Sequence, residues 1–202
     1  MRDLIRAQRQ WCRVVILFAF ATLSGTRAQT GSTPDIHVLM EQLNDVRTVR
    51  PDTVKQIVEI ARKDPHAREY VVQKLPDLIG RPESDVWLDA IRLAGKLKAK
   101  EAIPALQQAM SRRPFPALPY LTFAGIMRLD NDIVAKTLSQ IGEPAIPAVT
   151  SLLKNENAGM RYRATLILRN IASPTARRAL QDRLPHETAP EVKKLIQDSL
   201  QH

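Results

Sequence analysis

Apolar residues recur along this chain in steps of three and four, the spacing that gathers side chains on one face of a helix. Over 157–172 the stripe is Met160, Ala164, Ile167, Leu168 and Ile171; over 174–184 it is Ala176, Ala179, Leu180 and Leu184. Over 143–154 it is Ile146, Val149, Leu152 and Leu153, and over 84–97 it is Val86, Ala90, Ile91, Leu93, Ala94 and Leu97. The pattern predicts helices over 34–46, 51–63, 65–80, 84–97, 101–112, 116–129, 131–141, 143–154, 157–172, 174–184 and 188–200. No stretch alternates apolar and polar residues long enough to argue a strand. Pro34, Pro51, Pro65, Pro82, Pro114, Pro144, Pro174 and Pro190 fall at the junctions, where the first helical turn tolerates a missing N–H. A lone hairpin cannot cover such faces, but hairpins stacked on one another can. The expectation is an all-α solenoid of stacked antiparallel helix pairs.

A short phrase repeats within this pattern. Ala102–Leu106 reads AIPAL and Ala145–Val149 reads AIPAV, with a fainter echo over Ala176–Leu180. The intervals are uneven, 43 residues and then 31 between the first alanines. The longer one contains Pro114, Pro116 and Pro119, so 112–130 forms either an extra helix or a bent first helix. Asn131 and Asp132 are suited to start a fresh helix, because their side chains accept from free N–H groups there.

These features resemble HEAT repeats of the short bacterial, armadillo-like type. The run Ile141-Gly142-Glu143-Pro144-Ala145-Ile146-Pro147-Ala148-Val149 is similar to that family's inter-helix turn and second-helix start. Met160-Arg161-Tyr162-Arg163-Ala164 resembles its first-helix motif, an apolar residue and an arginine followed by alanine, and Val192-Lys193 sits where another such pair opens a helix. The resemblance is clearest over 84–184 and implies a right-handed α-solenoid over 34–202. It implies further that Arg161 is a structural tether between repeats, reaching a carboxylate or a backbone carbonyl. Glu143, Glu156, Asp182, Glu187 and Glu191 are the carboxylates near enough in sequence. Near 87 the pattern departs, with Trp87 where the arginine would stand.

The N-terminus reads differently. Arg2, Arg6, Arg9 and Arg13 precede the apolar run Val14–Leu23, and small residues follow at Thr26 and Ala28. This is the layout of a secretory signal, expected over 1–28, with 29–33 as a short linker; an uncleaved N-terminal anchor is the alternative. The leader holds +4 of the formal net charge of +9, leaving about +5 on the rest. It also holds Cys12, the single cysteine, so the remainder has no disulfide and no thiolate metal site. The expected location is periplasmic or secreted.

Little in the chain points to chemistry. His37, His66, His186 and His202 are far apart and lack a second histidine at ligand spacing, so neither metal nor cofactor is expected. His186-Glu187 is a single His-Glu pair, where a di-iron helical-repeat enzyme uses several; it reads as a polar loop. The chain has no G-x-S-x-G and no glycine cluster that could cradle phosphate. Catalytic residues are therefore assigned nowhere, and the chain is expected not to be an enzyme.

A stack of hairpins is rich in surface, which favours binding. The leading expectation is a monomeric scaffold module that binds a partner protein through its second helices, with Gln107, Gln108, Arg112, Lys154, Arg178 and Arg183 as candidate contacts. An alternative is a basic binder of nucleic acid or an anionic surface through Arg161, Arg163, Arg177 and Arg178. Export and the single aromatic in that cluster, Tyr162, argue against nucleic acid. A helical-repeat enzyme accessory or lyase-like protein is a further alternative, resting on fold analogy alone. Trp87 is either core or a binding anchor.

Overall fold

The computed structural model describes residues 34–44, 50–82, 84, 86–112 and 132–201. The expected leader and linker, the helix expected over 116–129 and the question of an extra or bent helix lie outside them. Among the described residues there are ten α-helices and no strand. They are α1 (Ile36–Asn44), α2 (Arg50–Lys63), α3 (Pro65–Ile79), α4 (Trp87–Lys96), α5 (Ile103–Arg112), α6 (Ile133–Ile141), α7 (Ile146–Leu152), α8 (Ala158–Ile171), α9 (Pro174–Arg183) and α10 (Pro190–Gln201). Each corresponds to one expected helix, with ends shifted by a few residues.

The helices form two layers. In one, α2, α4, α6, α8 and α10 pack in chain order, each against the next; in the other, α1, α3, α5, α7 and α9 do the same. Contacts between layers run along the chain as well, α2 against α3, α7 against α8, α8 against α9. This is an all-α solenoid, in which each hairpin buries its apolar stripe against its neighbours. Leu106, Ile146, Val149, Leu153, Ala164, Ile167, Leu168 and Leu180, all expected to face inward, are all buried.

Local sequence explains the joints. Ala102 and Ala145, the first residues of the repeated phrase, close short 3₁₀ turns over Lys100–Ala102 and Glu143–Ala145 and are fully buried. Ile103 and Ile146 then open α5 and α7 with the same backbone angles, φ −55° and ψ −47°. Pro104 and Pro147 follow in the first turn, where no N–H is needed. Asp132, Asn157 and Ser173 cap α6, α8 and α9 by accepting from Ala135, Gly159 and Ala176 N–H groups. Gly142 ends α6 at φ +84°, a conformation in which a side chain is strained.

Trp87 is buried, and its indole N–H donates to the Ile79 carbonyl at 3.0 Å, joining the start of α4 to the end of α3. The anchor reading of Trp87 is thereby corrected: an indole enclosed between two helices is not offered to a partner.

Candidate functional site

Two arginines on α8 set what this molecule can present. Successive residues of a helix turn by about 100°, so Arg161 and Arg163 leave α8 in nearly opposite directions. Arg161, 7% exposed, reaches forward. Its Nε and Nη2 donate to the two carboxylate oxygens of Glu187 at 2.9 and 2.7 Å. Its Nη1 donates to the Asn155 and Glu156 carbonyls, at 2.9 and 2.8 Å, in the turn between α7 and α8. One guanidinium therefore ties the turn before its own helix to the segment joining α9 and α10.

Glu187 is the centre of this clamp. It also accepts from Arg183 Nε and Nη2 at 3.2 and 3.1 Å and from the Ala189 N–H at 2.9 Å. Burial by itself pushes the Glu187 carboxyl up. The hydrogen bonds from Arg161, Ala189 and Arg183 outweigh burial and hold it down at about 2, against an ordinary 4.5. A buried carboxylate is tolerated only with partners of this kind.

Arg163, 2% exposed, reaches backward. Its Nε meets Asp132 Oδ2 at 2.5 Å, and its Nη1 donates to the Met110 carbonyl at 3.1 Å. It joins α8 to the start of α6 and to the last turn of α5. Asp132 is used twice, since its other oxygen caps α6. Between the two arginines, burial pushes the Tyr162 phenol up, with the charge of Arg169 acting against it.

With these two charges turned inward, the layer of α5, α7 and α9 presents other exposed polar side chains, Gln108, Lys154 and Arg178 among them. Between α7 and α9 lies a groove of about 450 Å³. Leu153 and Ala179 supply apolar lining, and Lys154, Asp182, Arg183 and His186 supply charged and polar edges. Lys154 and His186 are exposed. The groove is of a size and character that takes a side chain or a short turn of a partner.

A family model described as HEAT repeats matches residues 132–201, the span from the cap of α6 through α10. This part of the chain carries HEAT-like repeats. No curated protein matches the chain. The HEAT-like stretch contains Arg161, Arg163, Asp132 and Glu187, so both ion pairs lie within it, and so does the groove, while the Arg163 bond to Met110 reaches back out of it.

The expected contact residues divide into two groups. Gln108, Lys154 and Arg178 are exposed. Gln107, Arg183 and Arg112, the last of them also exposed, are drawn into contacts between elements. Gln107 Nε2 donates to Ser151 Oγ at 2.9 Å, joining α5 to α7. Arg112 Nη1 donates to the Gly80 carbonyl at 3.0 Å, and Arg183 serves Glu187. The four-arginine basic patch is also corrected. Arg177 and Arg178 are exposed, but Arg161 and Arg163 are buried and paired, because a carboxylate waits for each on a neighbouring hairpin.

The reading of His186-Glu187 as a polar loop is half corrected. His186 is exposed, whereas Glu187 is an internal anchor with both oxygens occupied. Among the described residues, no three His, Cys, Asp or Glu side chains converge as a metal site would require. Nor is any described helix long and apolar enough to cross a membrane.

Proposed function

We propose that this protein is an exported, non-enzymatic scaffold that binds a partner protein along its second-helix layer, with the groove between α7 and α9 as the centre of contact. The observation that carries this is the division of charge. Arg161 and Arg163 are spent on joining hairpins, while Gln108, Lys154 and Arg178 stay exposed on or beside the second helices. Binding is by shape. Buried clamps hold successive hairpins at fixed spacing, so the groove is preformed and little ordering entropy is lost on association. The leading arginines, the Val14–Leu23 run and the small residues up to Ala28 support export to the periplasm or the exterior.

Photo-crosslinking in the native host tests this. A photoreactive residue placed at Lys154 or Arg178 should give one discrete crosslinked product, and the same residue at Lys193, in the other layer, should give none. The captured chain should begin at or near Gln29 by mass spectrometry. Equal labelling from all three positions would reject the groove. A retained leader on a soluble chain would reject export by cleavage.

A further inference from the structure

A second hollow, sharing no lining residue with the groove, lies where the end of α8 meets α9 and α10. It measures about 340 Å³ and is lined by Leu168, Arg169, Ala172, Arg177, Leu180 and Ser199. We propose that it binds a small organic anion with an apolar body, such as an aryl or short alkyl phosphate monoester or carboxylate.

Arg161, Arg163 and Arg183 each meet a carboxylate. Arg169 and Arg177 are both exposed and have no hydrogen-bond or ion-pair partner among the described residues. They nevertheless border one hollow, and none of the residues lining it is acidic. Two unmatched guanidiniums raise the local positive potential, and an oxyanion between them relieves it. Each offers a planar fork of donors suited to phosphate or carboxylate oxygens. Ser199 does not add a donor, because its hydroxyl donates to the Leu195 carbonyl at 2.6 Å.

Leu168 and Leu180, both buried, give the hollow an apolar wall. A purely inorganic ion would leave that wall wet, whereas a phenyl or short alkyl group covers it. The volume lies near the lower end of the ~300–1,000 Å³ typical of small-molecule sites, which matches one ring or a short chain with its anionic group.

Calorimetric titration of the full chain with phenyl phosphate tests this, with inorganic phosphate and benzyl alcohol as the two half-ligands. Saturable binding at one site is expected, about tenfold or more weaker for either half-ligand and weakened about tenfold by Arg169→Gln or by Arg177→Gln, since each removes one charge-assisted fork. Neither arginine has a partner to lose, so unchanged thermal melting of both variants separates lost binding from lost folding. Sedimentation with phosphatidylglycerol vesicles distinguishes a lipid headgroup from a free anion. No saturation, affinity unchanged in both variants, or arginine-dependent vesicle binding without phenyl phosphate binding would each overturn the proposal.

Discussion

Replacing Glu187 with alanine is expected to destabilise the protein by about 3–5 kcal/mol, the usual cost of removing one partner from a buried ion pair. The carboxylate is enclosed and serves Arg161, Arg183 and the Ala189 N–H together. Without it, Arg161 keeps the Asn155 and Glu156 carbonyls but carries a buried charge with no counter-ion. The same carboxylate gives the wild type a specific acid sensitivity. Its carboxyl is held at about 2 when folded, against 4.5 ordinarily, so the unfolded chain takes up this proton first as pH falls. The stabilisation is complete above about 4.5 and is lost as pH drops toward about 2. Urea denaturation of wild type and Glu187→Ala at several pH values measures both. The gap between them should narrow through that window, and a gap that stays constant would show that the carboxylate is not held as described.

Arg163→Met is expected to cost a similar amount, about 3–5 kcal/mol, although methionine keeps much of the aliphatic stem. The substitution leaves Asp132 without its guanidinium and removes the donor that reaches the Met110 carbonyl. Arg177→Met and Arg178→Met supply the internal contrast. Both arginines are exposed and unpaired among the described residues, so each change should stay within ~0.5 kcal/mol. If Arg163→Met fell in that same range, the backward clamp would carry no energy.

Much of the fold was legible because it depends on spacing along one helix. The stripe of Met160, Ala164, Ile167 and Leu168 has to be buried whatever covers it, and the AIPAL and AIPAV phrases mark the same 3₁₀-to-α joint twice. The polar network was less legible, because its partners are distant in sequence. Arg161 and Glu187 are 26 residues apart, and Arg163 and Asp132 are 31 apart. Glu187 could be named among several possible carboxylates, but nothing local to it separates an enclosed anchor from a loop acid. Arg163 carried one usable signal, its place two residues after Arg161, which on a helix directs it to the opposite neighbour. Gln107, Arg112 and Arg183 do lie on second helices, as the pattern requires. Their length lets them reach carbonyls, a hydroxyl or a carboxylate on adjacent elements, and reach is not encoded in periodicity.

The central claim is that Arg161 and Arg163 are internal joints between hairpins rather than part of a ligand-binding basic face. A double-mutant cycle on Arg161 and Glu187 tests it most directly, with Arg161→Met, Glu187→Leu and the pair compared by urea denaturation. The account predicts strong coupling: each single change is costly, and the double change costs less than their sum by about 1–3 kcal/mol, because the apolar pair leaves neither charge buried alone. Additivity within about 0.5 kcal/mol would contradict it, showing that the two side chains do not act as one joint.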